Sequence, residues 1–183
     1  MTSASHPLRV DWVDLSRVPR FATTAGRLGM TFLPGKRTDG MTGRHRRDLD
    51  ADAARLHDEL GVTGLLLLVE DHELEAAHVE NIAVVMRAHG VEVVRYPIVD
   101  VDVPTETTRL RRVIEEAIGR IVRGDRIAVA CRGGLGRTGT VAALILRDCG
   151  VGAEEAIRMV RDARHGTIET AAQEDFVRSW EPS

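Results

Sequence analysis

Cysteine is scarce in this 183-residue chain, with only Cys131 and Cys149 present. Two thiols are too few for a disulfide framework, so a reduced, intracellular setting is expected. A surplus of one charge is also missing. The 25 Lys and Arg nearly cancel the 28 Asp and Glu, for a formal net charge of -3, which excludes a polycation field for nucleic acid or anionic membrane. Any anion binding must therefore be local. No apolar run is long enough to span a bilayer, and Met1 to Val10 lack the charged-then-apolar pattern of a secretory leader. The expected location is cytoplasmic, with no membrane contact. Repeats and low-complexity tracts are absent. His45, His57, His72, His78, His89 and His165 show no spacing that converges on a metal with a carboxylate or thiol. Neither metal nor cofactor is expected, and oligomeric state has no signature.

Apolar runs of strand length alternate with longer segments of helical period, which predicts an α/β fold: a central, mostly parallel twisted sheet of about five strands flanked by helices. The length suits one domain over residues 1–183, with 1–8 as a flexible lead. Strands are expected at Val10 to Leu15, Gly29 to Leu33, Gly64 to Val69, Val91 to Tyr96 and Arg126 to Ala130. Helices are expected at Asp50 to Leu60, Leu74 to Ala88, Thr107 to Val122, Arg137 to Cys149, Ala153 to Ala163 and Thr170 to Ser179. Gly61, Gly90 and Gly124 fall where left-handed caps end the first three. Pro34 to Arg47 reads as a loop, and its Lys36, Arg37, Arg44, Arg46 and Arg47 as solvated cations able to greet a phosphorylated partner. Glu73 and His78 read as a solvated helix face.

The most informative stretch is Arg126 to Leu146, RIAVACRGGLGRTGTVAALIL, where an apolar strand passes through a glycine-rich turn into an apolar helix. Successive amides in such a turn and the start of the helix gather anions. Gly134 to Gly139 satisfies G-x-G-x-x-G, but the second strand and distant acid of a dinucleotide fold do not follow. Cys131 to Thr138 departs from the nucleotide P-loop at its first Gly and its Lys. A cysteine five residues before an arginine instead lets a loop curl round one tetrahedral phosphate, with sulfur beneath phosphorus and the Arg137 fork on two oxygens. The amides of Arg132, Gly133, Gly134, Leu135 and Gly136 are the expected cradle. Thiolate is the active form of Cys131, favoured by those amides and Arg137. Thr138 offers a hydroxyl to the sulfur as it leaves. The competing reading of Cys131 is a small buried residue at a strand end.

Those residues resemble the dual-specificity phosphatases, nearest to their kinase-associated, cyclin-dependent-kinase-inhibitor type. The carriers are Cys131 to Thr138, Tyr96-Pro-Ile-Val-Asp100 with Pro104, Leu28 to Gly35, and Ile168-Glu-Thr-Ala-Ala-Gln173. The resemblance implies a metal-free, two-step transfer through phosphocysteine, on phosphotyrosine or phosphoserine/threonine in proteins. Asp100 takes the family position of the general acid; Asp102 lies on the same face of an extended segment and remains an alternative. Gln173 is read either as a holder of the hydrolytic water or as a surface helix residue. The family usually has His before the nucleophile, where this chain has Ala130; Arg132 is a candidate to compensate. A phosphate-binding module without turnover, and a phosphatase for small metabolites or inositol phosphates, are the alternative functions. Cys149, about 18 Å along the helix at 1.5 Å per residue, is read as a core residue that cannot pair with Cys131.

Overall fold

The computed structural model describes residues 1–40 and 43–182. Its main sheet has five strands: β1 (Asp11–Trp12), β2 (Arg27–Phe32), β5 (Gly64–Leu67), β6 (Glu92–Arg95) and β7 (Arg126–Cys131), in the order β1-β2-β7-β5-β6. Only β1 runs antiparallel. Against their expected spans β1, β5 and β6 are shorter, β2 lies one or two residues earlier, and β7 runs one residue further, to Cys131. The expected first strand keeps two residues; beyond them the Val13 N–H still donates to Leu28 O at 2.9 Å, and Val10, Val13 and Leu15 are buried.

Strand β7 lies at the centre, pairing β2 in parallel from Arg27↔Arg126 to Phe32↔Cys131 and β5 from Gly64↔Ile127 to Leu67↔Ala130. Covered on both faces, it has no polar alternation to spare, which is why it reads as one apolar run. Its C-terminal end delivers Cys131 to the sheet edge where the following helix starts.

Among the described residues the helices are α1 (Leu49–Ala54), which widens into a π turn over Arg55–Glu59, α2 (Asp71–Ala77), α3 (Ile82–Ala88), α4 (Thr107–Val122), α5 (Gly136–Asp148), α6 (Ala153–Ala163) and α7 (Ala171–Ser179). Helix α4 buries Leu110, Ile114, Ala117, Ile118 and Ile121, and α5 is buried from Gly136 to Leu146. Gly61, Gly90 and Gly124 have φ of +67, +79 and +104°, the left-handed stops that their positions suggested.

The single helix expected over Leu74 to Ala88 is two helices. His78 sits at φ +55°, its N–H donating to Glu75 O, while the N–H of Val79 donates to Leu74 O at 3.0 Å. Neither glycine nor proline announces this stop; Val79 is fully buried, and its place in the core turns the chain there.

The expected flexible lead is tied down. Leu8 is fully buried, Arg55 Nε donates to its carbonyl at 2.7 Å, and Arg47 Nη1 donates to His6 O at 2.8 Å. The loop expected over Pro34 to Arg47, of which Met41 and Thr42 lie outside the described residues, pairs β3 (Asp39–Gly40) with β4 (Gly43–Arg44). Within it Lys36 and Arg47 are buried rather than solvated. Arg47 is neutralised by Asp52, Nε to Oδ2 at 2.7 Å and Nη2 to Oδ1 at 2.8 Å, which makes its burial tolerable.

Candidate active site

The turn Arg132 to Leu135 joins β7 to α5 and folds back over the strand end. Gly134 has φ +72°, and a Cβ there would lie 2.5 Å from Thr31 O and 2.7 Å from Phe32 N, so backbone passes where a side chain cannot. This close passage turns the Gly134 N–H onto Cys131 Sγ at 3.2 Å. Cys131 itself is buried, at the end of a strand whose preceding residue, Ala130, is packed between Thr31 and Leu67.

Arg137, in the first turn of α5, is almost wholly buried. Its Nη1 and Nη2 donate to Glu73 Oε2 and Oε1 at 2.6 and 2.8 Å, and Nη1 also donates to Ile98 O at 2.9 Å. Burial works against its charge, but the Glu73 hydrogen bonds and the Cys131, Glu73 and Asp100 charges outweigh it and raise its pKa. Glu73 is thus a buried counter-ion rather than part of a solvated face. Burial pushes its carboxyl up, yet the bonds from Arg137 and from the Glu70 N–H, with the Arg137 charge, bring it below its ordinary value. The same carboxylate caps α2, accepting from Glu70 N–H at 2.9 Å. One legible sign was an acid in the first turn after a buried strand.

The segment after β6 brings an acid to this cation. Tyr96 and Ile98 N–H donate to Leu67 O and Leu68 O, extending the path beside β5, and Tyr96 OH donates to Glu106 O at 3.0 Å. Between those anchors Asp100 Oδ1 lies 2.7 Å from Arg137 Nη2, its side chain half exposed. Asp102 points elsewhere: its Oδ1 accepts the N–H of its own neighbour Val103 at 2.7 Å. Val101, between them, adopts φ +66°, strained for a β-branched residue.

Thr138 has a fully buried hydroxyl with no hydrogen-bond partner, a donor kept in reserve beside the loop. Gln173 is buried, not a surface helix residue. Its Oε1 accepts from Glu169 N–H at 2.9 Å and its Nε2 donates to Asp102 O at 3.2 Å, linking α7 to the acid segment. Lys36 Nζ donates to Arg132 O at 3.3 Å, and burial, then the Arg132 charge, lowers its pKa to about 8 against an opposing pull from Cys131. Arg164 Nη2 donates to Gly133 O at 3.3 Å. Arg132 and Gly133 are themselves exposed. Cys149 ends α5 as a free thiol whose pKa burial raises to about 11.

This geometry has relatives. The family described as "Swiss Army Knife protein, DSP-PTPase phosphatase domain" matches residues 40–177, three quarters of the chain. The chain belongs to this phosphatase family. As a DSP-PTPase domain it is 28% identical over 178 residues to cyclin-dependent kinase inhibitor 3 of Homo sapiens, covering 95% of this chain and 79% of that protein. The Rattus norvegicus protein is 26% identical over 177 residues, with the same two coverages. Among solved structures, a kinase associated phosphatase with its catalytic-site cysteine changed to serine superposes with a TM-score of 0.81 at 26% identity, covering 94% of this chain and 93% of that one. The DSP-PTPase fold is therefore shared over nearly its whole length, including the strand, loop and helix that carry Cys131 and Arg137. No helix among the described residues is long and apolar enough to cross a membrane.

Proposed function

We propose that this phosphatase domain, a single unit working in the cytoplasm, hydrolyses phosphate monoesters on proteins through a phosphocysteine intermediate. The observation that carries the reading is the opposition of Cys131 Sγ, held by the Gly134 N–H, and the Arg137 guanidinium, held by Glu73. Resemblance to a kinase associated phosphatase supports a phosphoprotein substrate.

In the first step the Cys131 thiolate attacks phosphorus, the ester P–O bond breaks, and Asp100 protonates the departing oxygen. In the second, water attacks phosphorus as the S–P bond breaks; Asp100 takes the water proton and the thiolate is restored. The Thr138 hydroxyl turns to the departing sulfur. Amides of Arg132 to Gly136 and the Arg137 fork hold the equatorial oxygens, so positioning and charge supply most of the acceleration. Gln173 places the acid segment by its bond to the Asp102 carbonyl.

Hydrolysis of an aryl phosphate in EDTA, with acid quench to trap phosphoenzyme, tests this. Turnover that resists chelation, labels the protein and vanishes in Cys131→Ser is expected. Phosphate binding without turnover in the native chain would replace the enzyme by a recognition module.

A further inference from the structure

The donors that a phosphoryl group needs are already engaged. Besides the Asp100 carboxylate on Arg137 Nη2, the Gly136 N–H at the start of α5 donates to Glu169 Oε2 at 2.7 Å. An amide at a helix start, opening from a glycine-rich turn, is a place for an anion's oxygen. A side-chain carboxylate holds it here.

This contact is built rather than incidental. Ile168, buried and β-branched, adopts φ +59°, a conformation that persists only where its surroundings impose it. Arg161 imposes it from one side, Nε donating to Thr167 O at 3.1 Å and Nη2 to Ile168 O at 3.0 Å. From the other, buried Gln173 accepts the Glu169 N–H at 2.9 Å. The missing side chain at Gly136 makes room, since a Cβ there would come within 2.6 Å of Glu169 Oε2 and 2.9 Å of Gln173 Oε1. Glu169 thus has a fixed backbone and lies at the exposed surface, where its side chain has room to swing away.

We propose that Glu169 is an intramolecular competitor for the phosphate site: substrate displaces its carboxylate from the Gly136 N–H, and its return helps expel product phosphate. The inference rests on the phosphatase reading and adds a residue that tunes affinity for anions. A plain helix cap needs only an acceptor at this place, whereas a competitor needs the negative charge. Glutamine separates the two, because it keeps the acceptor and removes the charge.

Competitive inhibition of p-nitrophenyl phosphate hydrolysis by orthophosphate, at fixed ionic strength, is measured for the native chain, Glu169→Gln and Glu169→Ala, with thermal unfolding alongside. Orthophosphate is expected to inhibit both variants about tenfold more tightly, a change of ~1.4 kcal/mol, with a lower KM and no gain in kcat. Inhibition unchanged or weakened in a folded Glu169→Gln chain overturns the proposal and leaves Glu169 as a cap. Absence of turnover in the native chain counts against the phosphatase reading alone. The same comparison made by orthophosphate calorimetry then decides the competition.

Discussion

Arg137 and Glu73, 64 residues apart in the chain, are joined by two parallel hydrogen bonds of 2.6 and 2.8 Å with both side chains almost wholly buried. The pair joins the first turn of α2 to the first turn of α5. It leaves the second edge of the guanidinium directed at Asp100. A guanidinium so braced is pre-oriented for a tetrahedral anion, and its fork cannot rotate without breaking both bonds.

Removing one member of a buried pair leaves the other uncompensated, at a cost of ~3–5 kcal/mol. Glu73→Gln keeps the shape but loses the charge and one of the two acceptors. It is expected to lower denaturant stability by about 3 kcal/mol and kcat/KM by at least about tenfold. Urea titration and aryl phosphate kinetics read both; a variant equal to the native chain in each refutes the bracing role.

The two neighbouring acids should separate cleanly. Asp100→Asn is expected to reduce kcat by about 10²–10⁴ on phenyl phosphate, whose leaving group needs a proton, and by less on p-nitrophenyl phosphate. Asp102→Asn, whose carboxylate is spent on the Val103 N–H, should stay within about threefold on both. Equal losses at the two positions would remove Asp100 from the acid role.

Two adjacent glycines of the loop differ in what surrounds them. At Gly134 a Cβ meets the backbone of Thr31 and Phe32 at 2.5–2.7 Å, and φ is +72°; at Gly133 nothing lies within 4 Å. Gly134→Ala is therefore expected to displace the loop, destabilising by about 2 kcal/mol and losing the amide on Cys131 Sγ. Gly133→Ala should change stability by less than about 0.5 kcal/mol. Thermal unfolding and iodoacetate reactivity of Cys131 distinguish them, and a Gly134→Ala chain with native reactivity would show that the close approach is dispensable.

Burial, then the Lys36 charge, holds His45 at about 4 against its ordinary 6.5. Between those values the unfolded chain binds more protons, so stability falls as pH falls. The Glu73 carboxyl, held low in the folded chain, withdraws its contribution at still lower pH, as the pair with Arg137 protonates. Urea midpoints from pH 7 to 4 should decline in the native chain and decline less in His45→Gln. Parallel curves would exonerate His45.

The candidate site was legible locally because its parts are near neighbours. Cys131, the glycines and Arg137 lie on one strand-turn-helix, where spacing alone sets which groups lie together. The apolar run of β7, the glycine caps and the period of α4 follow from the same short-range rules. The stop at His78 was not legible, since burial of Val79 rather than any local breaker places it.

For Glu73, Lys36 and Glu169 nothing local names the partner. A charged side chain reads as solvated until the fold supplies a partner, and their partners lie 64, 96 and 33 residues away. The sequence by itself determined the parallel sheet and the glycine-rich turn that carries Cys131 and Arg137 from strand to helix, through periodicity and contiguous spacing. Only the tertiary structure decided which acid faces Arg137, which carboxylate braces it and which one occupies the Gly136 amide. Those choices depend on how distant segments cross at the end of the sheet, where burial makes each unpaired charge costly.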